Sequence, residues 1–333
     1  KLLNELIKNN SFLKKVQKLN FKNVIHTPFE SVKKLDALRK ENNFIKKDYP
    51  KNKIQKKYKV LHVANFGFKV DHRLFNISIA NKITHGLIRN GNDVINFDYK
   101  NLNNRLFETK SVDKKILDIV KNYNPDLILL GHNNILNRST LLILKDRFNC
   151  KISIWYEDHV MPGDPNFRNN LDLLEKNNDL IDHYFITTSP DIVKTKINKS
   201  KLSFLPIPVD PNIEYDKFYE YSKEKDIFFA LSHGVNYGKL KANAKDERFK
   251  FVQKLISISK DKVNFHILGM FKEQPKWNSE FNKEIMISKT ALNLSRGGPS
   301  KYCSSNRIAT LMGNGILPFI DEKVRYHDFF QND

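Results

Sequence analysis

From Tyr58 onward, short and continuously apolar runs alternate with segments whose apolar residues recur at helical spacing. The run KVLHVANFG (59–67) predicts a buried strand ending in an Asn-Phe-Gly loop. Residues 77–91 read as a helix that stops at Gly91, a residue suited to the left-handed turn at helix ends. NDVINFDY (92–99) predicts a second strand. A helix over 112–123, a strand at 126–131, a helix over 139–148, a strand at 151–156, a helix over 167–178 and a strand at 183–188 follow. Strands apolar on both faces, alternating with helices, specify a doubly wound parallel sheet.

The segment FLPIPVDPNIEYD (204–216) breaks this pattern, because Pro206, Pro208 and Pro211 fix an extended path and disfavour helix. The alternation then restarts: strand 226–232, helix 246–259, strand 263–269, strand 290–295, helix 304–312, strand 315–321. The predicted class is α/β, with two Rossmann-like, doubly wound domains facing each other across a cleft. They span 58–205 and 226–333, joined by a proline-rich hinge at 206–225. Ligands of such sheets bind beyond the carboxyl ends of the strands. The second domain reads as short of its last elements at Asp333, and the start at Lys1 reads as that of a fragment. Ahead of Tyr58, Leu2, Leu3, Leu6, Ile7, Phe12, Leu13, Val16 and Leu19 lie at near-helical spacing among lysines, with a break near Asn9–Ser11. A lysine-rich connector at 46–57 follows.

Composition adds limits. With 333 residues, 40% apolar and 28% charged, the chain can fill two cores and is not disordered overall. No apolar run approaches the roughly 20 residues that cross a bilayer, and no signal-peptide pattern follows Lys1. Two cysteines, Cys150 and Cys303, make neither a disulfide framework nor a thiolate zinc site, which fits a reducing cytoplasm. The net charge is +20, and residues 1–57 hold 16 of the basic and 5 of the acidic side chains. No helix-turn-helix, zinc-finger or RNP-like pattern accompanies that charge, so nucleic acid is not the expected partner. Either it is a compositional bias on a solvated surface, or the segment docks on an anionic surface such as phospholipid headgroups or lipopolysaccharide.

Neither unit opens with G-x-G-x-x-G or a phosphate-binding P-loop, which argues against a dinucleotide oxidoreductase or a P-loop NTPase. The richest segment is SRGGPSKYCSSNRIATLMGNG (295–315). Arg296, Gly297 and Gly298 form a loop that brings backbone amides close to a ligand. Ser304, Ser305 and Asn306 are suited to cap the helix that begins at Arg307. With Lys301, Tyr302 and Arg307 nearby, the expected guest is a phosphate or diphosphate; the bland reading is a capped helix with scattered surface charge. His233 and Gly234 form a second loop on the same edge, and Lys239, Lys241 and Arg248 add positive charge, unless each is simply solvated. Gly269 ends a strand where a base approaches the backbone. In the first unit, Glu157 and Asp158 leave a strand end together. Either carboxylate suits deprotonation of a hydroxyl or stabilisation of an oxocarbenium-like transition state, Asp158 being the first choice; a turn or cap acid is the alternative. Asn65, Gly67, His72, Arg73 and His132 sit on the same rim as acceptor-binding candidates or ordinary polar lining. No H-x-x-H, C-x-x-C or D-x-D spacing points to a metal, and helix amides with basic side chains suffice for a diphosphate.

At these residues the chain resembles the GT-B glycosyltransferases of group 1, in the style of the spore-maturation-type bacterial enzymes. The likeness runs from about residue 59 to the end, through HGLIRNGNDV (85–94), PDLILLGH (125–132), IWYEDHV (154–160), LPIPVD (205–210), LSHGVNYGKLK (231–241) and above all LNLSRGGPSKYCSSNRIATLMGNG (292–315). The resemblance implies a nucleotide-sugar donor bound by the second domain and a glycan or glycolipid acceptor bound by the first. It makes the loop from Arg296 to Arg307 the donor-phosphate site and needs no metal or other cofactor. The setting it implies is surface-polysaccharide or lipopolysaccharide synthesis in the cytoplasm, with peripheral docking at the inner membrane face as the option that the basic segment 1–57 opens. One departure is that Thr310 stands where many group 1 enzymes carry a ribose-binding Glu. A Kdo transferase using CMP-Kdo on the same fold, and a non-catalytic nucleotide- or sugar-binding protein, are the alternatives.

Overall fold

The apolar runs become strands of two parallel sheets. The structure, a computed structural model, describes residues 57–66, 79–99, 111–132, 135–164, 166–231, 246–259, 262–276, 278–295 and 297–329. The basic segment 1–56, with its expected amphipathic helix, lies outside them. Residues from Lys57 onward form one unit by their packing. In chain order its first half runs β1 (Lys59–Ala64), α1 (Ile79–Arg89), β2 (Asp93–Asp98), α2 (Val112–Tyr123), β3 (Leu127–Gly131), α3 (Arg138–Phe148), β4 (Lys151–Tyr156), α4 (Phe167–Glu175), β5 (His183–Ile186) and β6 (Leu202–Phe204). The second half runs β7 (Lys225–Ala230), α5 (Glu247–Ser259), β8 (Phe265–Leu268), α6 (Asn278–Met286), β9 (Ser288–Asn293), α7 (Arg307–Gly313) and β10 (Leu317–Ile320).

The expected α/β class with two Rossmann-like parallel sheets is what the chain adopts. Its sheets are ordered β2-β1-β3-β4-β5-β6 and β10-β9-β7-β8, and every pairing among the described residues is parallel. In both sheets the first strand lies between the second and the third, so the winding reverses there. That reversal leaves a crevice beyond the carboxyl ends of β1 and β3, and another beyond β7 and β9. Two elements differ from the sequence reading. β6 extends the first sheet to Phe204, and α6 fills the stretch before β9 that carried no predicted element.

Each sheet is covered on both faces, which is why its central strands are apolar throughout. Ile116, Val120, Leu141, Leu144 and Leu174 from α2, α3 and α4 cover one face of the first sheet. On the other face, Ile79 and Ala80 of α1 meet Trp155, and Ile308 and Ala309 of α7 join the same cluster. Leu311 of α7 packs instead with Phe228 and Ala291 of the second sheet and with Ile316 just before β10. One short helix thus contributes to the cores of both sheets.

The proline-rich connection is tied down chemically. Asp210 is fully buried and accepts from His85 Nδ1 at 2.6 Å, Arg89 Nη1 at 3.0 Å and the Asn212 amide at 2.8 Å. Burial opposes its charge, but these donors hold the carboxyl below its ordinary value. Lys82 of α1 pairs with Glu214, both side chains buried, and Glu214 also accepts from the Asp210 amide at 2.8 Å. Removing either partner would strand a buried charge.

Candidate functional site

The crevice of the first sheet is built around a close-packed glycine. A Cβ at Gly131 would fall 2.6 Å from both the Ala64 Cβ and the Trp155 ring, so only glycine lets β3 end there. The next residue, His132, takes φ +60° and stacks flat on Tyr156, with centroids 5.0 Å apart and planes at 4°. This turns the imidazole towards the two acids that leave β4. Its Nδ1 lies 3.8 Å from Glu157 Oε1 and its Nε2 3.4 Å from Asp158 Oδ2. From the second half of the chain, Asn306 Nδ2 donates to Glu157 Oε2 at 3.4 Å. Glu157 is the more enclosed acid, its side chain 23% exposed against 44% for Asp158. Burial pushes the Glu157 carboxyl above its ordinary value and the Asp158 charge adds to this, while His132 and Asn306 pull it back.

Further along this segment, the buried His159 bonds through Nε2 to Ser300 Oγ in the glycine-rich loop of the second half. Gly163 and Gly297, both at positive φ, bring backbone against backbone: a Cβ on Gly297 would lie 2.8 Å from Asp164 Cα. The Ser189 amide donates to the Lys301 carbonyl at 3.0 Å, and Lys301 Nζ pairs with Asp191 at 2.8 Å. The loop is therefore fastened along the edge of the first sheet.

Beside these contacts lies a cavity of about 450 Å³. Its walls are Gly163, the start of α5 (Asp246–Arg248 and Phe251), the end of β9 (Asn293–Ser295), Gly297–Pro299, Asp321 and Val324. Its walls thus include the carboxyl end of β9 and the start of the helix that follows β7. Arg248 is held over it by Asp246, which accepts from Arg248 Nη2 at 2.7 Å and from Nε at 2.9 Å. Behind this pair, Arg307 Nη2 donates to the Ala230 carbonyl at 2.8 Å, with the guanidinium 5.3 Å over the Phe229 ring. Arg307 Nη1 is buried and has no hydrogen-bond partner. Burial, reinforced by the Arg248 charge, lowers the Arg307 pKa to about 9. Arg307 also feels the Asp246 charge, and Glu247 and Asp321 stand in the same wall, so the two guanidiniums are set among carboxylates.

The sequence-predicted residues divide accordingly. Glu157, Asp158, His132 and Asn306 come together, and Arg248, Gly297 and Arg307 gather at or behind the cavity. Lys301 and Tyr302 do not point there: Lys301 is engaged with Asp191, and the Tyr302 hydroxyl donates to Asp328 at 2.9 Å. Ser304 and Ser305 do not cap α7. Ser304 Oγ accepts from Asn293 Nδ2 at 2.5 Å, and Ser305 Oγ donates to Asn293 Oδ1 at 2.7 Å. Asn306 occupies the cap position without a side-chain cap bond, and its side chain reaches Glu157 instead. At Gly269 a Cβ would sit 1.8 Å from the Leu231 carbonyl oxygen, so the backbone just past β7 packs against it on that side. Asn65 ends β1 at the crevice. Gly67, His72, Arg73, His233, Gly234, Lys239, Lys241 and Arg296 lie outside the described residues. Sequence reasoning passed over His159, Ser300 and Asn293. A His immediately after the two acids was the one available signal. Among the described residues no three His, Cys, Asp or Glu side chains converge as a metal site, and no helix is long and apolar enough to cross a membrane.

No protein-family model matches the sequence, and no curated protein is significantly similar to it. Solved structures do resemble it in outline. UGT89C1 from Arabidopsis thaliana, complexed with UDP-L-rhamnose, matches at 13% identity with a TM-score of 0.41, over 79% of either chain. UDP-GlcNAc 2-epimerase from Neisseria meningitidis, bound to UDP-GlcNAc, matches at 13% identity with a TM-score of 0.39, over 71% of this chain and 77% of its own. The UDP-GlcNAc 2-epimerase from Methanocaldococcus jannaschii gives 12% and 0.35, over 71% and 79%. Similarity at this level leaves the reaction to be argued from the site.

Proposed function

We propose that the chain is a GT-B glycosyltransferase that moves a sugar from a nucleotide-sugar donor to a hydroxyl of a glycan or glycolipid acceptor. The observation that carries this reading is the meeting of Glu157, His132 and Asn306 at the end of β4, in a unit that also holds a cavity lined in part by Arg248. It agrees with the group 1 resemblance of residues 292–315.

In this reading the donor lies in the cavity with its phosphates towards the two guanidiniums. The acceptor hydroxyl approaches Glu157 from the crevice of the first sheet. Glu157 takes the hydroxyl proton as the acceptor oxygen bonds to the anomeric carbon, and the bond from that carbon to the donor phosphate oxygen breaks. The electron pair leaves on the phosphate, where Arg248 and Arg307 meet the developing charge. A carboxyl raised by burial is a better base than an ordinary one, because its conjugate acid lies nearer the working pH. Glu157 therefore takes this role ahead of the more exposed Asp158. His132, between the two acids, stabilises the carboxylate pair. The leaving-group charge is assigned to arginines rather than to a metal ion, a division that chelation with EDTA tests directly.

The deciding experiment is calorimetry against UDP-, GDP-, ADP-, dTDP- and CMP-linked sugars, followed by donor hydrolysis without acceptor. Binding of one donor with slow hydrolysis supports transfer. Binding without any turnover, with or without glycan acceptors, would make the chain a binding protein.

A further inference from the structure

We propose that His159 is a positioning residue whose bond to Ser300 couples the wall of the cavity to the placement of the Glu157 carboxyl. The inference rests on the reading of Glu157 as the proton acceptor. His159 is 7% exposed and is held from two sides. Its carbonyl accepts from Asn170 Nδ2 at 3.0 Å, and Asn170 is itself buried on α4. Its ring reaches the other way, Nε2 to Ser300 Oγ, while Nδ1 is buried without a partner. The backbone at residue 159 thus belongs to the first sheet and the ring to the loop of the second.

What that loop does makes the bond matter. Gly297, Gly298 and Pro299 line the cavity, and Ser300 is the next residue. Two residues before His159 stands Glu157, and four residues after it Gly163 forms the facing part of the same wall. A molecule that presses on the glycine-rich loop moves Ser300, and Ser300 is bonded to the ring that shares a short backbone stretch with Glu157. The ring stays neutral, since burial lowers its pKa despite the nearby Asp164 and Asp158, so the bond carries position without carrying charge. Glu157 is also faced by His132 beyond β3, by Asp158 on its own segment, by Asn306 at the start of α7 and by Tyr99 beyond β2. A small displacement of its carboxyl changes the distance to each of these.

The test uses the full chain with glutamate labelled at the side-chain carboxyl carbon, and follows the Glu157 titration by NMR, assigned by its absence in Glu157→Gln. The variants are His159→Leu, Ser300→Ala and His159→Gln, the last retaining a donor near the position of Nε2. Loss of the coupling moves the Glu157 midpoint down towards the ordinary carboxylate value in His159→Leu and Ser300→Ala, with His159→Gln restoring the wild-type curve. A wild-type midpoint in Ser300→Ala, a small change that spares the fold even if His159→Leu does not, overturns the proposal. A tether that only joined the sheets would lower the melting temperature in His159→Leu and Ser300→Ala and leave the titration unchanged. Because this measurement needs no nucleotide, it decides the coupling even if every sugar nucleotide fails to bind, a result that would sink the transfer reading instead.

Discussion

Replacing His62 by glutamine removes a titrating group from the middle of β1, and the cost to stability depends on pH in a way the structure fixes. The ring is fully buried. Trp155 Nε1 donates to its Nε2 at 2.8 Å, so the proton must sit on Nδ1, which bonds Thr84 Oγ1 at 2.8 Å. Thr84 in turn donates to Asn96 Oδ1 at 2.8 Å, and no lone pair is left for a second ring proton. Burial lowers the His62 pKa from 6.5 to about 3. The unfolded chain therefore binds a proton near pH 6.5 that the folded chain refuses until far lower pH, and stability falls with acidification across that window. The slope below pH 6 is about 1.4 kcal/mol per pH unit, and the loss from pH 7 to pH 5 is about 2 kcal/mol. At pH 7 the variant is the less stable by about 1–3 kcal/mol, because Trp155 and Thr84 lose their partner. Towards pH 5 that gap shrinks by about 2 kcal/mol, since glutamine has nothing to protonate. His159, also lowered by burial, and Glu157, which is raised and works in the opposite direction, are present in both proteins and cancel in the comparison. Urea unfolding followed by tryptophan fluorescence at pH 7, 6 and 5 reads the gap directly. A gap constant over that range would refute the buried, neutral ring.

Glu157→Gln should lower transfer turnover by about a hundred- to ten-thousand-fold with donor affinity kept, whereas Asp158→Asn should be milder; the reverse ranking in steady-state assays would exchange their roles. Arg307→Met should weaken nucleotide binding by about ten- to a hundred-fold, the worth of a charge-assisted hydrogen bond, and unchanged affinity by calorimetry would remove Arg307 from the donor site. Gly269→Ala should cost about 2–4 kcal/mol in chemical denaturation, because its Cβ meets the Leu231 carbonyl at 1.8 Å and φ is +71°. Deleting residues 1–50 should reduce co-sedimentation with anionic liposomes at low salt while leaving nucleotide binding intact; a full chain that ignores such liposomes would contradict a membrane role for that segment.

The strands were legible because central parallel strands must be apolar on both faces, and KVLHVA, LILLG and KISIWY state that without help from context. α6 was not, because its few apolar residues, Phe281, Ile285 and Met286, stand among charged neighbours and give a weak helical signal over only nine residues. The prolines announced a connection at 204–216. Its fastening depends on Lys82, His85 and Arg89 meeting acids more than 120 residues away, which no local pattern encodes. The same limit governs which of the expected site residues come together. Glu157, Asp158 and His132 follow from a rule of topology, that residues leaving strands at the carboxyl edge share a crevice. Lys301 was grouped with the phosphate loop by closeness in sequence, yet its charge answers to Asp191 across the chain.

The repeated strand order gives the site its logic. Each sheet reverses its winding between its first and third strands, so each has one crevice, and the acids occupy one while the cavity and guanidiniums occupy the other. What sets the distance between them is α7. Ile308 and Ala309 are buried with Trp155 under the first sheet, Leu311 is buried under the second, and Asn306 at its start touches Glu157. A helix fixed in two cores cannot follow one sheet without straining the other. The loop ahead of α7, from Gly297 to Ser305, joins this helix to the cavity wall. Two of its residues, Gly297 and Gly298, adopt positive φ, which glycine takes without steric cost, and Ser300 is bonded to His159 on the segment bearing Glu157. The loop read from sequence as phosphate binding is, in the structure, the contact between the cavity wall and the segments that follow β4 and β5.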